Sequence, residues 1–232
     1  TLIHYINNEF DSLLTYSDTL LKFTKLSQDF YYQGKANYLK AFYFDDIRFL
    51  PDSAFYYYNQ SKNNFLKLHD SSEIGKRLLN MGYLQKNSSD YYGSKETITS
   101  ALQYLKTKKD RKYITSAYNV LAMSNKELLN HEDAIKYYKK ALETTILKES
   151  KLTYQNNISV AYTDNKEYQV AIELLKTLIN DSLILTFPLK KARVIDNLAY
   201  AKWLKDTTDV SAELHESLEI RKKHNDNSIC IK

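Results

Sequence analysis

Small and apolar residues return along this chain with two nested spacings. The pairs Ala54-Phe55, Ser94-Lys95, Ala134-Ile135, Ala171-Ile172 and Ser211-Ala212 follow one another at steps of 40, 40, 37 and 40 residues. Twelve positions before each stands Phe42, Gly82, Ala122, Ser159 or Ala199, four of them small. A fixed inner spacing inside a fixed outer period predicts repeated helical hairpins, each burying its apolar face only against its neighbours.

The helices themselves are legible in the middle of the chain. Ala134, Ile135, Tyr138, Ala141 and Leu142 fall on one helical stripe, and Ala171, Ile172, Leu175, Leu178 and Ile179 repeat its offsets one period on. Upstream partners carry Tyr118, Leu121, Ala122 and Asn125, then Ile158, Ala161 and Tyr162. Between partners lie short polar stretches, 129–133 and 164–167, which predict tight turns with Asn and Asp available as caps. Pro51 and Pro188 fit first helical turns, where a missing N–H costs nothing. One period back from Ala54, Leu13-Leu14 predicts a leading helix over about 10–27. The pairs then span about 30–69, 71–108, 110–148, 150–181 and 187–224, giving about eleven helices in one solenoid.

Composition narrows the class. Four Gly and two Pro among 232 residues are too few for an all-β chain of this size, and 26% charged with 43% hydrophobic residues is ordinary for a folded protein. No apolar run reaches the roughly 18 residues of a membrane span. The first residue is Thr1, so a trimmed piece of a longer protein is expected. The net charge of +5 is mild, and the densest basic run, 106–112, reads as a solvated turn. A single cysteine, Cys230, excludes an internal disulfide framework.

The set Asn157-Ile158-Ser159, Tyr162, Tyr168, Ala171-Ile172, Leu175 and Leu178 resembles the tetratricopeptide repeat, or TPR. Leu121-Ala122, Ala134-Ile135, Tyr138 and Ala141 match it, as do Met81-Gly82, Ser94, Ile98 and Ala101. Asn197-Leu198-Ala199 with Ser211 and Leu218 is looser, and the first pair, with Phe42 in a small-residue place, is poorest. A period near 40, against the family's usual 34, implies longer helices or longer connections. The resemblance implies an all-α, right-handed α-α superhelix of antiparallel pairs whose first helices line a concave groove for a protein or peptide. Its groove positions are Lys76, Asn80, Tyr83 and Lys86; Asn119, Met123 and Lys126; Asn156, Asn157 and Val160; and Arg193, Asp196, Asn197, Tyr200 and Trp203. Asn80, Asn157 and Asn197 share the repeat position at which family members hydrogen-bond a peptide backbone, which an amide suits by donating and accepting together. The bland alternative is that these Asn residues tie adjacent repeats or face water. Lys76, Lys86, Lys126 and Arg193 echo a carboxylate clamp, although Val120 stands where the clamp has Asn.

Catalytic and metal signals are weak. His131-Glu132 and His215-Glu216 open like a zinc-protease helix, but Ile135 and Glu219 stand where the second His is needed. The five His are scattered, and Gly34, Gly75, Gly82 and Gly93 stand apart, so neither a metal nor a nucleotide cofactor is expected. The 21 Tyr raise base stacking in an RNA groove, but adjacent helical positions diverge by about 100°, so packing is the stronger reading. The chain is therefore expected to be non-catalytic. The Lys, Asn, Tyr and Ile bias and the phrase over 213–223 resemble the TPR arrays of Bacteroidetes sensor and regulator proteins; a peptide-pheromone receptor domain is the alternative. Self-association and compartment, periplasmic or cytoplasmic, are left open.

Overall fold

The computed structural model describes residues 2–224, with side chains from residue 12 onward, so Cys230 and the side chain of His4 lie outside the described residues. Among the described residues the chain forms eleven α-helices and no strand. They are α1 (Leu2–Leu26), α2 (Phe30–Phe42), α3 (Pro51–Lys67), α4 (Ser71–Asn87), α5 (Tyr91–Tyr104) and α6 (Arg111–Glu127), then α7 (His131–Thr144), α8 (Lys148–Asp164), α9 (Tyr168–Ile179), α10 (Pro188–Asp206) and α11 (Ser211–Lys223). The leading helix starts at Leu2, well before the expected residue 10. Contacts divide the chain into two compact units, Thr1–Ser124 and Asn125–Lys232, and the division falls inside α6.

One turn, used five times, joins α1 to α2, α3 to α4, α4 to α5, α6 to α7 and α8 to α9. Its middle residue is left-handed: Gln28, His69, Ser89, Leu129 and Lys166 have φ of 54°, 53°, 63°, 59° and 64°. The next N–H reaches five residues back, as in Asp70 N to Phe65 O at 3.1 Å and Asn130 N to Asn125 O at 2.8 Å. This Schellman pairing satisfies carbonyls that a helix end otherwise leaves without partners. In three of the turns an Asp then caps the following helix: Asp29, Asp70 and Asp90 accept from the backbone N–H of Tyr32, Glu73 and Gly93. None of the five left-handed residues is Gly, so each carries the strain of a Cβ at positive φ. Leu129 is exposed, so Leu129→Gly gives up little packing. It is expected to raise stability by about 0.5–1 kcal/mol. A higher midpoint of urea unfolding would verify this, and a lower one would refute it.

The long period and its one short step now have a cause. The pairs α4–α5 and α6–α7 each combine a 17-residue and a 14-residue helix, so the helices themselves are long. Six residues link α5 to α6, including a 3-10 turn, Lys108–Asp110, with a Thr107/Asp110 capping box. Only three link α7 to α8, and those three missing residues account for the 37-residue step. Pro51 and Pro188 both open helices.

The poor first repeat is explained by a π turn. Phe42 stands in the small-residue place by spacing, yet it is only half-buried. Ala41 is fully buried with Ala54 and Tyr58 in one core cluster. A π turn, Tyr43–Ile47, follows α2 at once and takes up one extra residue, so the small position falls one residue earlier than the spacing suggests.

Within the first unit, small residues let helices meet at backbone distance. Ser61 Oγ donates to Gly34 O at 2.7 Å, Ser94 Oγ donates to Gly82 O at 2.8 Å, and Ser124 Oγ reaches Ser94 Oγ at 3.1 Å. A second cluster joins Phe65, Ile74, Leu78, Ala101 and Leu105. The second unit has its own core, in which Ala171, Ile172, Leu175 and Leu178 of α9 pack with Leu152, Val194 and Leu198.

Candidate functional site

In the first unit, Lys76, one of the two basic residues expected to meet a ligand, is held by a carboxylate of the chain itself. Lys76 lies three residues after Glu73 on α4, so its Nζ reaches Glu73 Oε1 at 2.8 Å. Lys35 Nζ approaches Glu73 Oε2 at 3.2 Å and Arg77 Nη2 approaches it at 2.6 Å. Arg77 is 4% exposed and stacks 3.9 Å over the Tyr38 ring, while its Nε and Nη1 find no hydrogen-bond partner among the described residues. Burial pushes the Glu73 carboxyl up, but the Lys76 hydrogen bond and the charges of Arg77 and Lys35 outweigh it and hold the group at about 2. One carboxylate therefore answers three cations. Lys76 also lies 4.9 Å over the Tyr113 ring.

Further along, the amide of Asn119 serves its neighbours. It reaches the Tyr83 hydroxyl, which burial pushes up. Its Nδ2 also lies 3.5 Å from Met123 Sδ. Asn80 and Lys86 are half-buried. The tyrosine triplet diverges as helical geometry requires: Tyr56 is exposed, Tyr57 stacks on Phe44 and Tyr58 is buried, donating to Asp45 Oδ2 at 3.2 Å.

The second unit treats its candidates in two ways. Some are internal ties: Asn197 Nδ2 donates to Asn156 Oδ1 at 2.8 Å, joining α10 to α8, and Asp196 Oδ2 accepts from Arg221 Nη2 of α11 at 2.5 Å. Lys126 pairs with Asp164 at 3.5 Å, and Asn157 and Val160 are half-buried. The bland reading of the register Asn thus describes what Asn197 does here. Others look outward. Arg193, Tyr200 and Trp203 lie on α10 at i, i+7 and i+10, one face of a helix, and all are exposed, Tyr200 at 48% and Trp203 at 50%.

A cavity of about 330 Å³ in the second unit includes none of the expected site residues. It lies against Leu142 of α7, Ile158 and Tyr162 of α8, and Val170, Leu174 and Leu178 of α9. Ile158 and Tyr162 face away from Val160, because residues two apart on a helix point about 200° apart. A sequence signal existed: Val170 and Leu174 add an apolar i, i+4 pair outside the stripe that α9 buries. Among the described residues no group of three or more His, Cys, Asp or Glu gathers to hold a metal, and no helix is long and apolar enough to cross a membrane.

Neither a family model nor a curated protein matches the chain. Solved structures do. BtubC (BKLC) from P. vanneervenii matches over 93% of this chain and 92% of its own, with a TM-score of 0.74 at 17% identity. YrrB, a TPR protein with an unusual peptide-binding site, matches over 82% and 87%, with a TM-score of 0.58 at 14% identity. Aspartyl phosphate phosphatase F from Bacillus subtilis matches over 91% of this chain and 57% of its own, with a TM-score of 0.65 at 17% identity. The chain therefore has the TPR-like solenoid fold, an all-α array of stacked helical hairpins.

Proposed function

We propose that this chain is a non-catalytic protein- or peptide-binding module, serving as the sensory or scaffolding region of a larger bacterial signalling or transcription-regulatory protein. The observation that carries the binding reading is the outward stripe of α10, Arg193, Tyr200 and Trp203. Those three residue types dominate binding hot spots, since each brings a large planar surface together with a polar or charged group. Asp196, between them, is neutralised by Arg221, so the stripe presents its cation and rings without a competing negative charge. YrrB, of similar fold, is named for peptide binding.

Trp203 is the chain's single tryptophan, so its emission reports directly on this face. Peptides selected on the wild-type chain from a displayed random library are expected to shift that emission. They are expected to bind the Tyr200→Ala and Arg193→Ala variants roughly tenfold more weakly. Peptides that bind both variants as well as wild type would refute this face. The role in the larger protein is decided by its neighbouring domains: a membrane helix with a kinase or regulator module supports the sensor, whereas a DNA-binding domain supports a peptide-pheromone receptor.

A further inference from the structure

Helix α9 is apolar on two sides. Ala171, Ile172, Leu175 and Leu178 are buried in the core of the second unit. Val170 and Leu174, one turn apart on another side, remain 39% and 40% exposed over the 330 Å³ cavity, which Leu142, Ile158 and Tyr162 floor from α7 and α8. The two ends of this groove carry opposite charge. From α7, Lys139 Nζ donates to the hydroxyl of Tyr162, in the last turn of α8, at 2.8 Å and lies 5.3 Å over its ring. Just past the other end of α9 stands Asp181, whose Oδ1 accepts from Leu183 N at 2.8 Å. From Val170 to Asp181 a helix rises about 16 Å, roughly three turns.

We propose that this groove seats an amphipathic helix of a protein partner, about three turns long, with its apolar stripe on Val170, Leu174 and Leu142. Its acidic first turn meets Lys139 and its basic last turn meets Asp181. The charge pattern selects this occupant. Acidic residues in the first turn and basic residues in the last are the arrangement that a helix dipole favours, so one short helix satisfies both ends of the groove at once. A lipid surface presents the same headgroup charge along its whole length and would meet Asp181 with the wrong sign when it suits Lys139. An extended peptide needs hydrogen-bond partners for its backbone, whereas a helix satisfies its own and can lie on a wall of leucine and valine side chains. The groove shares no lining residue with the α10 stripe, so this inference stands apart from the peptide-binding face proposed above.

The test is fluorescence anisotropy of the whole chain with a fluorescein-labelled, lactam-stapled twelve-residue helix. The probe carries leucines at positions two, five, six and nine, glutamates in its first turn and lysines in its last. Saturable binding is expected, weakened by roughly tenfold in Leu174→Lys and in Val170→Glu. Lys139→Glu is expected to weaken the probe and to prefer a copy with the end charges exchanged. Thermal unfolding identifies which of the two apolar-site variants folds, and that variant decides. Absence of saturable binding to wild type, or equal affinity for the folded variant, overturns the proposal. So does a loss produced by Trp203→Ala in place of Leu174→Lys, which would move the helix to α10 and leave the first reading standing.

Discussion

Replacing Glu73 by glutamine is expected to cost the first unit about 3 kcal/mol. The reason is the company that Glu73 keeps. Arg77 is almost wholly buried between the Tyr38 and Phe65 rings, and Lys35 and Lys76 converge on the same carboxylate. Without that carboxylate three cations repel one another, and one of them cannot reach water. Arg77→Met should cost far less, because it removes the buried charge together with two donors that find no partner. Adding Arg77→Met to Glu73→Gln should recover much of the loss, a coupling that a double-mutant cycle of urea unfolding measures directly. Equal losses for the two single variants would sink this account. Acid gives an independent check. The folded Glu73 sits at about 2, below its ordinary value of 4.5, so its contribution is present above about pH 4.5 and is lost as the pH falls toward 2. The stability gap between wild type and Glu73→Gln is expected to narrow through that window.

Gly82→Ala is expected to destabilise the first unit by about 1–3 kcal/mol, although alanine is the better helix former by about 1 kcal/mol. A Cβ at Gly82 would lie 2.5 Å from both Cγ1 and Cδ1 of Ile98, which is fully buried and has no room to turn aside. The same approach lets Ser94 reach the Gly82 carbonyl, so separating α4 from α5 also stretches that bond. In an Ile98→Ala background the obstruction is gone, and Gly82→Ala should then be neutral or stabilising, as calorimetry of the four chains of the cycle would record. A cost that persists in that background would mean that the close approach is not the reason for glycine here.

Gly82 also shows how legibility divides. Its spacing to Ser94 named the place where two helices meet, because small residues at fixed positions are the one trace that close packing leaves in a sequence. Two of the five Schellman turns were legible as the polar stretches 129–133 and 164–167, but none of the five carries the usual glycine, since Gln28, His69, Ser89, Leu129 and Lys166 occupy that place. Phe42 misled for a related reason: a π turn adds one residue without changing any residue type, and the small position moved to Ala41. Among the candidate groove residues, Arg193, Tyr200 and Trp203 face outward as their helical phase implies. Phase could not say that Asn197 would be spent on Asn156, or Lys76 on Glu73, because those partners are chosen by side-chain reach across and along helices.

By itself, then, the sequence determined the hairpin period, the faces that pack and the helices that begin at proline, because burial of an apolar stripe is a periodic demand that composition must meet at every turn. Tertiary structure alone decided which charges remain free for a partner. It also opened the cavity over Val170 and Leu174, since that space exists only where α7, α8 and α9 come together. Neutralisation and concavity are properties of several helices at once, and no single stretch of the chain encodes them.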